Sequence, residues 1–301
     1  VTPSATSVTA TSSTAAPATA PTAAASTATA RHFKVTLTGV ELAENQKPAQ
    51  GPSVEAFCPP ELAGHPVFMV LPGGAYHQHA EHEGRDVALW LNSLGLNAAV
   101  LAYSVAEDVP ADALHPAPLR DARAVLAWLR GGESGFSVDT SRIGVMGFSA
   151  GGHLAATLST GVDASAGPAL DRPDLAVLAY PVISMVSHCH EGSVEALLGP
   201  APALSQRRAL SADQAVDAAT PPTFLWHTAD DDAVPVENSL SHAGALARHG
   251  VPFALHVFPQ GRHGLGLAVN EPGPGRHPAA DWSRLCQNWL DGRGWLDGWP
   301  A

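Results

Sequence analysis

The sequence predicts an α/β fold class, with a mainly parallel central sheet covered by helices on both faces. Three observations carry this. Short apolar runs alternate with helical segments from about residue 33 to residue 292, and such alternation builds a sheet sandwiched between helices. The run Arg142-Ile143-Gly144-Val145-Met146 passes through the turn Gly147-Phe148-Ser149-Ala150-Gly151 into Gly152-His153-Leu154-Ala155-Ala156-Thr157-Leu158, a strand–turn–helix unit. Loops bearing glycine or charge follow several apolar runs, and right-handed crossovers place such loops along one sheet edge.

In chain order, a strand pair opens the domain over 33–42 and its continuation. Val67-Phe68-Met69-Val70 is an apolar strand, 87–94 a helix, 98–103 a strand and 119–129 a helix. The 142–146 run is short and apolar, as a strand buried on both faces is, and its helix follows. Residues 175–180 form another core strand, and 183–220, rich in short polar and helical pieces, form a small insertion over the loops. Phe224-Leu225-Trp226-His227-Thr228 is a late core strand. Phe253-Ala254-Leu255-His256-Val257-Phe258 alternates larger and smaller apolar residues with one polar exception, and is the last strand. A helix near 282–290 closes the domain, and no internal repeat is found.

The turn at 147–151 has the form G-x-S-x-G in the setting a nucleophile elbow requires. Small residues let the strand bend sharply into the helix and push the Ser149 hydroxyl out above the sheet. The competing reading is a glycine-rich turn that happens to hold a serine. Against it stands the chain order Ser, Asp, His. Asp230, Asp231 and Asp232 follow the 224–228 strand, where an open α/β sheet places its active site. Gly261-Arg262-His263-Gly264 follows the last strand, with room for the His263 ring to turn back to Ser149. A serine hydroxyl is a weak nucleophile until a base takes its proton. His263 would be that base, and an aspartate would fix the imidazole tautomer and stabilise the imidazolium. Asp231 is the expected acid and Asp230 the alternative, the remaining aspartates being solvated loop charge. Leu71-Pro72-Gly73-Gly74-Ala75-Tyr76 offers backbone N–H groups to a developing oxyanion, and the Ala150 N–H would be the other donor. Loss of one such donor costs about 3 kcal/mol of transition-state stabilisation. A plain glycine turn is the alternative for that loop.

On Pro72-Gly73-Gly74-Ala75-Tyr76, His82-Glu83-Gly84, His115-Pro116-Ala117-Pro118-Leu119-Arg120-Asp121-Ala122, 142–153, 226–240 and 258–267, the chain resembles α/β-hydrolases of the carbohydrate-esterase type. It is similar to bacterial acetyl xylan esterase-like and promiscuous feruloyl/acetyl esterase proteins, and more distantly to the hormone-sensitive-lipase group. The likeness spans about residues 34 to 292. It implies an α/β-hydrolase fold, a Ser149, Asp231 and His263 triad, and an oxyanion hole at Gly74 and Ala75 with Ala150. The implied activity is a serine esterase releasing short acyl groups, above all acetyl groups on xylan-type sugars, with a generalist carboxylesterase or feruloyl esterase as alternatives. No metal or organic cofactor is required for that chemistry. Pro72 stands where lipase-like relatives carry the histidine of an HGGG motif, and Ala75 replaces its last glycine; both still permit backbone donation. A peptidase of the prolyl-oligopeptidase kind uses the same triad but needs a β-propeller that this chain is too short to hold. A non-catalytic carbohydrate- or partner-binding relative is the reading of a different class.

Of the first thirty residues, all but two are Ala, Thr, Ser or Pro, with no charge before Arg31. Such a segment cannot bury enough apolar surface to offset its ordering entropy, so 1–31 is expected to be a disordered tail or linker and 32–301 the catalytic domain. Alanine favours a helix there, but the interspersed Thr and Pro oppose it. Stretches of this kind follow export signals, which points to a secreted or periplasmic protein, with the cytoplasm left open. No apolar run approaches the roughly 20 residues of a membrane span. Sixteen basic against 28 acidic residues give a formal charge of −12, which opposes nucleic acid and anionic membranes as partners. It suits a small-molecule or polysaccharide ester, and leaves the oligomeric state open. Cys58, Cys189 and Cys286 are odd in number and widely spaced, so at most one disulfide forms inside the chain. His77, His79, Glu81, His82 and Glu83, and His188-Cys189-His190, have metal-binding residue types without metal-ligand spacing. Tyr76, His82 and Trp226 are candidate substrate-side residues, core packing being the alternative for the two aromatics. Asp121 reads as a buried hydrogen-bonding residue.

Overall fold

The computed structural model describes residues 32–36, 52–107, 113–132, 134–162, 171–269, 271 and 275–296; the expected tail at 1–31 lies outside them. Eight strands form one sheet: β1 (His32–Thr36), β2 (Ser53–Phe57), β3 (Val67–Leu71), β4 (Asn97–Ala102), β5 (Ile143–Phe148), β6 (Leu175–Ala179), β7 (Thr223–Thr228) and β8 (Phe253–Phe258). Their spatial order is β1-β2-β4-β3-β5-β6-β7-β8. The β1–β2 and β2–β4 pairs are antiparallel, and every other pair is parallel. The strand pair expected at 33–42 is instead β1 with β2; residues beyond Thr36, up to 51, lie outside the described residues.

Strand side chains alternate between two cores, as period-2 geometry requires. Val67, Met69, Leu71, Ala176, Leu178 and Leu225 enter one apolar layer. Phe68, Val70, Leu175, Val177, Phe224 and Trp226 enter the other. The first layer is closed by α2 (Ala117–Arg130), α3 (Ser149–Thr160), α4 (Glu191–Leu198) and α6 (Glu237–Arg248), through residues such as Leu126, Leu154, Val194 and Leu246. The second is closed by α1 (Arg85–Ser93) and α7 (Trp282–Asp291), through Leu91, Trp282 and Leu290. The short α5 (Leu204–Ala209) completes the 183–220 insertion together with α4. Helix α6 has no counterpart in the sequence reading. Its buried face mixes Asn238, Ser239 and His242 with Ala243, Ala245 and Leu246, while Leu240 is exposed, so residue polarity does not mark which face is buried.

One topological feature positions the site. The chain runs from β3 to β4 on one side and returns to place β5 on the other side of β3. Loops leaving the C-terminal ends of β3 and β5 therefore diverge at a switch point, where open α/β sheets form their crevice.

Candidate active site

Ser149 is the first residue of α3 and has φ +51°, a left-handed conformation costly for a residue with a Cβ and typical of functional turns. Helix and strand are in backbone contact here: a Cβ on Gly151 would lie 2.1 Å from Leu71 O. Ser149 keeps 9% of its surface exposed at the head of an otherwise buried helix.

The His263 Nε2 lies 2.7 Å from Ser149 Oγ, and His263 Nδ1 lies 2.8 Å from Asp231 Oδ2. The Asp231 side chain is 1% exposed and that of His263 is 20% exposed. Asp231 Oδ1 accepts from the N–H groups of Ala233, at 3.0 Å, and Val234, at 2.8 Å. The ring of His227, wholly buried, comes within 3.4 Å of Asp231 Oδ2. Burial alone would raise the Asp231 pKa, but hydrogen bonds from His227 and His263 outweigh it and hold the carboxyl below the usual carboxylate range. An ionised carboxylate can only accept, so His263 Nδ1 carries the ring proton and Nε2 is free to accept from the Ser149 hydroxyl. His227 Nε2 faces two acceptors, Asp231 and, at 2.9 Å, Val234 O, so it too is the protonated nitrogen. Its Nδ1 then accepts from Ser239 Oγ at 2.8 Å.

The neighbouring aspartates differ. Asp230 Oδ1 accepts from Gly261 N–H at 2.7 Å and Asp232 Oδ1 from His263 N–H at 3.4 Å. Both brace the histidine loop through its backbone, whereas Asp231 holds the imidazole ring.

The loop after β3 turns on three consecutive positive φ values, Gly74 at +126°, Ala75 at +55° and Tyr76 at +63°. A Cβ on Gly74 would fall 2.1 Å from Gln78 O, so only glycine fits. Gly73 N–H is committed to Glu83 Oε2 at 2.7 Å. The N–H groups of Gly74, Ala75 and Ala150 have no protein acceptor among the described residues. Those of Gly74 and Ala75 are offered by the loop beside Ser149, and that of Ala150 lies in the first turn of α3, where N–H groups are unpaired and the helix dipole favours negative charge.

Of the three substrate-side candidates, two are core residues. Trp226 is wholly buried and stacks on Trp282, with centroids 5.1 Å apart and rings inclined by 13°; the core alternative replaces its expected place in the pocket wall. Tyr76 is 1% exposed and its hydroxyl meets His153 Nδ1 at 2.7 Å, so it anchors the loop rather than facing an open site. His153 Nε2 donates to Leu210 O at 2.8 Å, which leaves Nδ1 to accept from Tyr76. Burial pushes the His153 pKa down to about 4, keeping it neutral. His82 is half exposed and donates from Nε2 to Gly264 O at 3.0 Å.

The remaining clusters separate similarly. Glu83 turns inward, and His79 packs edge-on against Tyr103 at 4.6 Å. His190 caps α4 by accepting from Ser193 N–H at 3.1 Å. Burial, and then the nearby His263, hold its pKa below the ordinary histidine value. Cys189 meets Glu191 at 3.1 Å, and all three cysteines are free thiols. Asp121 is buried and accepts from the Ser104 N–H and Oγ, both at 2.7 Å. Sequence reasoning missed His227, Tyr180 and the inward direction of Glu83, whose partners are reached only through the fold.

A serine on a tight strand-to-helix turn at a parallel-sheet switch point, followed in the chain by an aspartate after β7 and a histidine after β8, fits the α/β-hydrolase class. Residues 56–246 match the BD-FAE family, and the chain belongs to it. It is 37% identical over 212 residues to the endo-1,4-beta-xylanase B of Butyrivibrio fibrisolvens, covering 68% of this chain and 33% of that protein. It is 31% identical over 221 residues to an acetylxylan esterase of Xylanibacter ruminicola, covering 71% and 43% respectively. The chain thus spans less than half the length of either curated relative. Among solved structures, an acetyl ester-xyloside bifunctional hydrolase from Caldicellulosiruptor lactoaceticus shares 42% identity at a TM-score of 0.78, over 88% of this chain and 98% of that one. A carboxylesterase from Lactobacillus plantarum shares 26% identity at a TM-score of 0.74, over 89% and 99%. No helix among the described residues is long and apolar enough to cross a membrane.

Proposed function

We propose that the protein is a serine esterase that hydrolyses short-chain acyl esters through an acyl-enzyme, with acetylated xylan or related sugar esters as substrates. The observation that carries the reading is the unbroken hydrogen-bonded chain Ser149 Oγ–His263 Nε2 and His263 Nδ1–Asp231 Oδ2, at 2.7 and 2.8 Å. Ser149 Oγ attacks the ester carbonyl as His263 Nε2 takes its proton. The carbonyl oxygen becomes an oxyanion held by the N–H groups of Gly74, Ala75 and Ala150. Its collapse expels the alcohol, which takes the proton from His263. Water then attacks the acyl-enzyme, losing a proton to His263; collapse of this second intermediate breaks the bond to Ser149 Oγ, which takes that proton back from His263 as the acid departs. Asp231 keeps its charge throughout and stabilises the imidazolium.

The sugar-ester assignment is supported by the acetylxylan esterase and acetyl ester-xyloside hydrolase similarities. The carboxylesterase likeness favours a second reading, a generalist short-chain carboxylesterase. A fluorophosphonate probe should label the protein and fail to label Ser149→Ala. Acetate release from acetylated xylan, compared with p-nitrophenyl acetate, then separates the two readings: turnover of the aryl ester alone selects the generalist. No labelling of the parent protein overturns both.

A further inference from the structure

The proposed chemistry needs two loops in register, the one after β3 with the Gly74 and Ala75 N–H groups and the one after β8 with His263. Strands β5, β6 and β7 separate β3 from β8 in the sheet, so no ladder hydrogen bond joins these loops. Side chains of the 3-10 turn Glu81–Glu83 make the connection. Glu83 is 2% exposed. Its Oε2 accepts from Gly73 N–H at 2.7 Å, and its Oε1 accepts from the Tyr180 hydroxyl at 2.6 Å. The Tyr180 oxygen accepts in turn from Gly266 N–H at 2.8 Å. The Tyr180 ring meets the His263 imidazole edge-on, with centroids 5.1 Å apart. His82 adds its contact to Gly264 O at 3.0 Å.

We propose that Glu83 is a positioning residue for the esterase reaction, acting through Gly73 on the oxyanion donors and through Tyr180 on the loop that carries His263. The inference rests on the esterase reading. A carboxylate suits this place because it presents two acceptor oxygens and no donor, matching one donor from each side. Taking a carboxylate out of water is unfavourable unless it is hydrogen-bonded, so the site is specified by its two donors. Burial, and then the Glu83 charge, raise the Tyr180 pKa well above its ordinary value, so the phenol stays protonated and donates.

Glu83→Gln keeps the shape but supplies only one acceptor, and Tyr180→Phe removes the hydroxyl while leaving the ring against His263. Each is expected to lower kcat on p-nitrophenyl acetate about 10- to 100-fold, because small displacements of catalytic groups are that costly. KM should stay within about three-fold of the parent, since substrate-contacting groups are unchanged. The double variant should lose no more than the worse single one, as residues in one network are not additive. Parental kcat in both single variants, or losses that multiply, overturn the inference. Ser149→Ala is assayed alongside: turnover surviving in that variant overturns the serine-esterase reading on which this inference rests, whereas parental kcat in the Glu83 and Tyr180 variants with Ser149→Ala inactive overturns the inference alone. The His263 ring resonances in nuclear magnetic resonance spectra then decide, independently of turnover. They should shift in both variants, and unmoved resonances refute the coupling.

Discussion

Two backbone N–H groups grip one oxygen of Asp231, and this dictates what an amide would do in its place. In Asp231→Asn the side-chain oxygen must remain with Ala233 and Val234 N–H, so the amide nitrogen faces His263 Nδ1. That nitrogen donates, the imidazole adopts the opposite tautomer, and Nε2–H can no longer accept the Ser149 proton. The variant is expected to fold and to lose about 10⁴-fold in kcat. Asp230 holds Gly261 N–H instead of the ring, so Asp230→Asn should stay within about ten-fold of the parent. Steady-state kinetics on p-nitrophenyl acetate checks both, and equal losses in the two variants would refute the assignment of Asp231.

The elbow depends on β5 and α3 approaching closer than side chains allow. A Cβ on Gly147 would lie 2.2 Å from Gly151 O and 2.7 Å from Ala155 Cβ, so Gly147→Ala must push the helix off the strand. A loss of about 1–3 kcal/mol in urea unfolding is expected, with lower kcat because Ser149 heads that helix. Gly244, inside α6, has only the Arg248 side chain within 4 Å, at 3.6 Å, so Gly244→Ala should stabilise by about 0.5–1 kcal/mol. Both elements bear on what the sequence disclosed. Strands β3 to β8 were legible as apolar runs, those of β3, β5, β7 and β8 ending in loops of distinctive chemistry, and the loops at 149, 231 and 263 meet because parallel strands deliver them to one edge. Helix α6 was not legible, since its buried face carries Asn238, Ser239 and His242 while Leu240 faces outward. Glu83 stands in an acidic, histidine-rich run with metal-binding residue types but no metal-ligand spacing, and only tertiary structure shows it turned toward Gly73 and Tyr180. Trp226 follows the same logic: as an aromatic in a strand ending near the loops it fitted a pocket wall, but strand alternation sends it into the core.

For the molecule as a whole, buried titratable groups outside the site set how stability changes with pH. His153 and His242 are each 1% exposed, and burial pushes both pKa values from 6.5 down to about 4. Between those values the unfolded chain binds protons that the folded chain refuses, so stability falls as pH drops from 6.5 toward 4. Asp121 opposes this, because burial, partly offset by the Ser104 bonds, raises its pKa from 3.8 to about 6. The folded state therefore gains a proton first as pH drops through 6, which stabilises it. His153 and His242 therefore each contribute a loss on acidification, which Asp121 partly offsets. His153 is bonded at both ring nitrogens, so its removal would mix lost contacts with lost titration. Neither ring nitrogen of His242 has a partner among the described residues, which makes it the cleaner site. His242→Leu should stabilise by about 1–3 kcal/mol at pH 7, through removal of an unsatisfied buried group and better helix propensity. At pH 5 the advantage should grow by about 2 kcal/mol, the share of the acid loss that His242 contributes. Urea titrations of both proteins at the two pH values measure this. An advantage that stays constant from pH 7 to pH 5 would show that His242 protonates in the folded state as readily as in the unfolded chain.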